Sequence, residues 1–241
     1  MTVSVEPTVA GRDAVSGLAS AEAFDALLRS RYSCRSFKAE PVPAPVLRQI
    51  FRTAQQTASW CNAQSWRVDL VSGDRLRELS QALLDDATGQ AFRGSDIPPP
   101  ARYEGAYLAR RRAAGFALYA SLGIDRADKE RRRAQMLENY RFFGAPHVAI
   151  VSSPQDLGPY GYIDCGGFVA NVLGAAQSHG VATIAQAAVV LRPQAVRAVL
   201  PIPDEQHLIC GISLGYADPE HPANRFRTER AAFEETVVVH D

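Results

Sequence analysis

The segment IDCGGFVANVLGAAQSHGVATIAQAA, residues 163–188, is the part of the sequence from which the core can be read most directly. Residues 163–179 are rich in Gly and Ala and predict a helix, and Gly180 suits the position just after a helix C-terminus. Small residues all around a helix indicate that another backbone or a flat ligand approaches it closely. Polar residues such as Asn171 interrupt the apolar run at 166–190, so it does not predict a membrane span.

Helix and strand patterns continue on both sides of this segment. Spacing, capping residues and prolines predict helices at residues 20–30, 45–54, 73–84 and 193–200. Alternating or fully apolar runs predict strands at residues 66–71, 148–151 and 207–216. Because helices and strands intermix without a regular βαβ order, we predict an α+β fold rather than a doubly wound sheet.

The composition excludes several classes of protein. The 241 residues include 26 basic and 26 acidic ones, and this zero net charge argues against a nucleic-acid or membrane-surface binder. The four cysteines are scattered without metal-ligand spacing, and no secretory leader is recognisable. We therefore expect reduced thiols, no metal site and a cytoplasmic protein. Of the 26 basic residues, 24 are Arg, whose planar fork suits phosphate and carboxylate groups.

The chain is expected to form one domain over residues 1–241, with two atypical parts. Residues 1–19 lack periodicity and predict a loose arm. Residues 93–143, here called the lid segment, predict a helical excursion split near Gly123, with eleven basic and six acidic residues. The arginines at 131–133 are expected to form surface salt bridges. The β-branched run at 236–239 needs a pairing partner, because an unpaired edge of this kind is a liability.

Three short segments have residues suited to ligand binding. RYSCRSF (31–37) places two arginines around a serine and suits an anion, and SWCNAQSW (59–66) combines aromatic and amide groups suited to a flat heteroaromatic ligand. NRFRTER (224–230) has alternating arginines that are expected to point to one side of an extended tail. Taken alone, the first and third segments are more typical of solvated chain with salt bridges, and the second is equally compatible with a loop anchored in the core by Trp66.

Taken together and in this order, the segments resemble the FMN-dependent nitroreductase family, in its nitrobenzoate-reductase-like branch. RYSCRSF resembles the family's R-x-S-x-R-x-F opening, SWCNAQSW its S-x-x-N-x-Q-P-W segment, and ISLGYADPEHPANRFRTER its closing segment. The resemblance implies a central, mostly antiparallel sheet flanked by helices. It also implies an intertwined homodimer in which the C-terminal arms are exchanged.

The resemblance further implies which residues bind FMN. The phosphate would be held by Arg31, Arg225 and Arg227, and Arg35 would lie at the N1–O2 edge, where reduction places negative charge. The whole implied set is Arg31, Tyr32, Ser33, Arg35, Ser59, Trp60, Asn62, Ala185, Gln186, Ala187, Arg225 and Arg227. Within it, Ser59, Trp60 and Asn62 would come from the partner subunit. No catalytic side chain is implied, because flavin N5, near the Ala187 backbone, carries the chemistry.

Two positions depart from the family pattern. Ser65 replaces the usual proline before Trp66, which is expected to loosen that loop. Ala187 lacks the hydroxyl that related flavin deiodinases place there. This absence favours two-electron hydride chemistry over reductive dehalogenation.

The implied activity is a ping-pong oxidoreductase in which NADH or NADPH reduces the flavin and a nitroaromatic, quinone or similar flat acceptor reoxidises it. The acceptor would contact Trp60, Tyr103, Tyr107, Arg110 and Arg111. An alternative is an enzyme for one carboxylated aromatic, either nitrobenzoate-like or dehalogenase-like, with a lid arginine pairing the carboxylate. The least favoured alternative is a non-enzymatic protein that binds nucleic acid or an acidic partner through its basic lid segment.

Overall fold

An antiparallel sheet forms the centre of the computed structural model, which describes residues 21–89 and 92–240. The strands are ordered β1-β2-β4-β3. Their bounds are Arg67–Ser72 (β1), His147–Pro154 (β2), Ala182–Gln186 (β3) and Gln206–Gly215 (β4). All three pairings are antiparallel, and residues 148–151 of β2 are fully buried. The predicted α+β fold is confirmed, whereas the loose arm predicted at 1–19 lies outside the described residues.

Helices cover both faces of this sheet. Those in the described part of the chain are Ala21–Ser30 (α1), Ala44–Ala54 (α2), Gly73–Gly89 (α3), Gly105–Ser121 (α4), Lys129–Leu137 (α5), Gly158–Ser178 (α6), Ala187–Val190 (α7) and Pro193–Val199 (α8). The main departure from prediction is α6, which begins five residues early because Gly158 and a first-turn proline start it. Among the described helices, none is long and apolar enough to cross a membrane.

Helix α6 packs against α2 and the central sheet and has two different faces. Its inner face is buried and includes Phe168 and Val172. On its outer face Ile163 is 66% exposed, and a Cβ added at Gly166 or Gly174 would meet no atom within 4 Å. The small residues of the outer face are therefore not required by packing within the described chain.

The lid segment contains α4 and α5, neither of which has a buried residue. The salt bridges expected at 131–133 are not found among the described residues. Instead Arg131 donates to the carbonyls of Gly123 and Leu122 at 2.8 and 3.1 Å, and Arg132 lies 5.2 Å from the Tyr119 ring centroid. The expectation was wrong because the last carbonyls of α4 lack intrahelical partners and attract a cation.

His147 at the start of β2 is buried, and its Nε2 accepts a hydrogen bond of 2.9 Å from the Val42 N–H. An imidazole that accepts through Nε2 must be neutral at that nitrogen. Burial lowers the pKa of His147 below its ordinary value.

We expect the free energy of unfolding to fall as the pH drops below about 6.5, the pKa of an unfolded histidine, because the unfolded chain takes up the proton that buried His147 resists. His147→Leu should remove this component of the pH dependence and cost about 1–3 kcal/mol at pH 8, since the Val42 N–H loses its acceptor. Urea unfolding between pH 8 and pH 5 measures both effects, with exposed His179→Asn as the control. If the His147 variant and the wild type lose stability in parallel over this range, His147 is not the cause.

Candidate functional site

Two arginine-bearing segments face each other across a cavity of about 870 Å³, here called the arginine cavity. One wall is the loop after α1, and the other is the irregular chain after the turn at Pro222–Asn224. The walls include five residues that the sequence assigned to the cofactor, namely Arg31, Tyr32, Ser33, Arg35 and Arg227. The structure thus brings together residues almost 200 positions apart.

Strand β3 fixes the first wall. Ser33 forms a parallel bridge with Thr183, and the Cys34 N–H donates to the Thr183 carbonyl at 3.0 Å. Burial raises the pKa of the Cys34 thiol to about 11, so this thiol stays protonated. Like Cys34, the other three cysteines are free, as the sequence predicted.

Positive charge is concentrated in the arginine cavity. Its charged lining residues are five arginines, of which Arg29 pairs with Asp25, and one carboxylate, that of Glu229. The other four arginines, Arg31, Arg35, Arg227 and Arg230, form no salt bridge with a carboxylate of residues 21–89 or 92–240. Burial, and then the neighbouring Arg230, lower the pKa of Arg31, and burial lowers the pKa of Arg35. Because arginine remains protonated despite such shifts, the arginines outnumber the single Glu229 carboxylate and the cavity holds a net positive charge that favours an anionic ligand.

Backbone carbonyls hold these guanidinium groups in place. Arg35 donates to the Ser33 carbonyl at 3.1 Å, and Arg227 donates to the Asn224 carbonyl at 2.8 Å while lying 3.8 Å from the Tyr32 ring centroid. A guanidinium carries five N–H donors, so most of them stay available for phosphate or carboxylate oxygens. The described residues contain no cluster of metal-ligating side chains.

The second wall differs from the sequence expectation in one respect. Arg225 does not lie on the cavity; it ends the turn at Pro222–Asn224 in helical geometry and forms a 2.9 Å salt bridge with Glu220. The expectation that alternate arginines share one extended face was wrong, because this turn breaks the alternation. Arg230, which the sequence analysis did not select, lines the cavity instead.

The end of β3 offers a flat, open surface. Ala185 and Ala187 are exposed, whereas Gln186 between them is buried. The Gln186 side chain belongs to the fold, since it accepts from the Ser213 hydroxyl at 2.6 Å and donates to the Asn139 carbonyl at 2.9 Å. The Gln186 side chain is therefore not available to contact a ligand here.

The loop at 59–64 lies at the N-terminal end of α6. The Trp60 N–H donates to the buried Asp164 carboxylate at 3.1 Å, and the Gln64 N–H donates to the Ser59 hydroxyl at 3.0 Å. Cys61, Asn62 and Gln64 adopt positive φ angles of 48, 57 and 50°. A loop of non-glycine residues in this region of backbone space is strained and needs such bonds to persist.

The loop exposes the Trp60 ring to solvent and is anchored to α6 through Ser65. The Trp60 side chain is 60% exposed, and its ring centroid lies 4.6 Å from that of Tyr160, which is 56% exposed. Sequence reasoning missed Tyr160. Ser65 is buried and donates to the Gly161 carbonyl at 3.1 Å, so the expectation that it loosens the loop was wrong.

The loop and the arginine cavity lie at opposite ends of α6. Trp60 is bonded to Asp164, whereas Ser30, beside Arg31, accepts a 3.1 Å hydrogen bond from Gln177. Thirteen helical residues separate these two anchor points, a distance of about 20 Å at 1.5 Å per residue. A single chain therefore does not bring Trp60 and Arg31 to the same part of a ligand.

The predicted acceptor residues of the lid segment lie on or before α4. Arg110 donates to Glu235 at 2.9 Å, and the Ala232 N–H, followed by Arg110, lowers the pKa of that carboxyl group. The Arg111 guanidinium lies 4.9 Å from the Tyr103 ring centroid, and Tyr107 is 72% exposed. Arg110 is thus engaged by the C-terminal arm, while Arg111 pairs with no carboxylate of the described residues.

The comparisons with known proteins agree with this geometry. The chain belongs to the nitroreductase family, whose family model matches residues 28–216. The resemblance found in the sequence is confirmed by this match.

Individual relatives are similar over most of their length. A 4-nitrobenzoate reductase from Nocardioides sp. (strain LMS-CY) is 36% identical over 217 residues, which are 88% of each protein. Nitroreductase NfnB from Mycolicibacterium smegmatis is 33% identical, over 90% of this chain and 92% of that protein. The crystal structure of the FMN-dependent NfnB from Mycobacterium smegmatis in complex with NADPH has a TM-score of 0.87 at 32% identity, over 92% of this chain and 99% of that one. The nitroreductase-like fold is thereby confirmed.

Proposed function

We propose that this chain is an FMN-dependent oxidoreductase that uses NADH or NADPH to reduce nitroaromatic compounds, quinones and related flat acceptors. The observation that carries the proposal is the convergence of four arginines, none in a salt bridge within the described chain, on one cavity whose first wall is bonded to β3. Family membership and the activities named for its relatives support it. When bound, FMN supplies the hydride and electron transfer between donor and acceptor in alternating half-reactions.

The residues of the arginine cavity fit FMN. A phosphate monoester is a dianion at neutral pH, and the three guanidiniums of Arg31, Arg227 and Arg230 offer it several charge-assisted hydrogen bonds. Arg35 lies on the same wall as Ser33 and is the cation available for the ring system. Ala185 and Ala187 present small side chains, which leave room for a flat ring against the backbone.

The protein itself would bind and orient FMN and its substrates and provide a positively charged environment for the flavin. No pair of acidic or basic side chains is needed as proton donor and acceptor, because solvent supplies the protons for acceptor reduction. We also propose that the protein acts in the cytoplasm, where free thiols such as those of its four cysteines stay reduced.

The phosphate assignment predicts different effects for two nearby arginines. Arg230→Ala should weaken FMN binding about 10- to 100-fold, the loss expected for one charge-assisted contact of about 1.5–3 kcal/mol. Arg225→Ala is the matched control, because Arg225 pairs with Glu220 outside the cavity, and its FMN affinity should stay within about threefold of wild type. Quenching of FMN fluorescence measures both dissociation constants. A larger loss in Arg225→Ala than in Arg230→Ala would contradict the assignment.

We further propose that a homodimer completes the site. The outer face of α6, with Gly166 and Gly174, has open space around it, and small residues allow two helices to approach closely. At one end of α6, the Trp60 and Tyr160 rings are exposed, and in the C-terminal tail Val238 is 76% exposed with no strand partner in the described chain. A second copy that packs in the opposite direction would bring its Trp60 loop to the arginine cavity of the first.

Gly166 allows the dimer to be tested without disturbing the single chain. Gly166→Leu should convert the protein to monomer and lower FMN occupancy, because the new side chain fills space that only a partner would need. Light scattering coupled to size exclusion gives the mass, and absorbance near the visible flavin band gives the occupancy. Retention of a dimer with full FMN occupancy in this variant would overturn the α6 interface.

A carboxylated nitroaromatic is the acceptor class that the lid segment favours within this activity. Arg111 has no carboxylate partner in the described chain and lies over the Tyr103 ring, an arrangement suited to a flat substrate bearing an anionic group. Two relatives, at 36% and 30% identity, are named 4-nitrobenzoate reductase. Dehalogenation is less favoured because Ala187 lacks a hydroxyl, and a purely acid-binding role is less favoured because Arg110, Arg131 and Arg132 already have partners.

This preference predicts a difference in KM between matched substrates. 4-Nitrobenzoate should have a KM at least about tenfold below that of nitrobenzene, and Arg111→Gln should remove most of this difference while leaving kcat for nitrobenzene unchanged, since only the ion pair is lost. The neighbouring Arg112→Gln serves as control. Equal KM values for the two substrates in the wild type would contradict a carboxylate site in the lid segment.

A further inference from the structure

Asn224 is the last residue of the turn that precedes the second wall of the arginine cavity, and it is only 4% exposed. Its side-chain oxygen accepts from the Arg35 N–H at 2.7 Å. Its side-chain nitrogen donates to the carbonyls of Ser36 and Asp218, both at 2.8 Å. The amide therefore uses both of its donors and one acceptor position within the protein.

The backbone of Asn224 has a second connection to the cavity. Its carbonyl accepts a hydrogen bond of 2.8 Å from the Arg227 guanidinium. Arg35 belongs to the first wall and Arg227 to the second. Asn224 is thus bonded directly to both walls, and through Asp218 it is tied to the chain that leaves β4.

The two walls need such a connection because their charges repel each other. Arg31 and Arg35 on one side face Arg227 and Arg230 on the other, and the one carboxylate on these walls, that of Glu229, forms no salt bridge with any of the four and leaves the cavity with a net positive charge. Like charges in a partly buried site repel more strongly than in bulk water. The buried Asn224 amide resists separation of the two walls. Pulling the walls apart would break its hydrogen bonds and leave buried polar groups unpaired.

We propose that Asn224 is a positioning residue that sets the distance between the two arginine walls, and that this distance is matched to the phosphate-bearing part of FMN. The inference rests on the proposed function, because it takes FMN as the ligand of the cavity. Asn224 is buried between the two walls and is not itself the main contact to the bound FMN. It acts through the hydrogen bonds that it forms with Arg35 and Arg227.

The test compares FMN with riboflavin, which has the same ring system but no phosphate. In Asn224→Ala the dissociation constant for FMN should rise at least about tenfold, while that for riboflavin should change less than about threefold. The phosphate needs both walls at the right distance, whereas the ring system needs only Arg35 of the first wall, which strand β3 also holds. If the substitution only disturbed the local structure, the binding of FMN and of riboflavin would be weakened to the same degree. Exposed Gln81→Ala, whose amide bonds to Asp85 within α3 away from the cavity, is the matched control.

Two further measurements keep the outcomes separate. Urea unfolding of the ligand-free protein checks that the variant is folded; if Asn224→Ala is not, Asn224→Ser replaces it, because one hydroxyl donor cannot serve both the Ser36 and Asp218 carbonyls. Equal losses for FMN and riboflavin, or no loss for either, overturn the role of Asn224. Failure of the wild type to bind FMN at all instead overturns the proposed function.

Discussion

Mutual repulsion among the guanidinium groups of the arginine cavity is the interaction around which this part of the molecule is arranged. Burial, and then the nearby charge of Arg230, lower the pKa of Arg31, so both disfavour its protonated form. The fold holds them through β3, through backbone carbonyls and through the buried Asn224 junction. An anion that enters the cavity relieves this repulsion. Because the fold already holds the arginines close together, the relief of their repulsion adds to the binding free energy of the ligand.

The length of α6 adds a geometric constraint. The helix carries the arginine cavity near its C-terminal end and the strained Trp60 loop at its N-terminal end, about 20 Å apart. Its outer face is lined by small residues and open in the described chain. A ligand that needs both the arginines and the Trp60 loop would have to obtain them from two chains, as the proposed homodimer allows.

Much of the fold could be predicted because its signals are local. Strand alternation, first-turn prolines and the Gly–Ala helix placed the main elements, and the ordered set of short motifs indicated the family. The predictions that were wrong concerned residues whose positions depend on contacts between segments distant in the sequence. Arg225 and Arg230 look alike in the sequence, and only the turn at Pro222–Asn224 turns one away from the cavity. In the same way, Ser65 is held by a carbonyl of α6 that no local pattern indicates.

The central claim, that each FMN site is built from two chains, can be measured by mixing two defective variants. One variant carries Arg31→Ala and Arg230→Ala, the other carries Trp60→Ala and Asn62→Ala, and each alone should bind FMN weakly. When the two are refolded together in equal amounts, half of the dimers are mixed and each contains one intact site, so tight FMN binding should return to about one quarter of all sites. If the mixture binds no more FMN than the separate variants do, the two halves of the site belong to a single chain and the account is wrong.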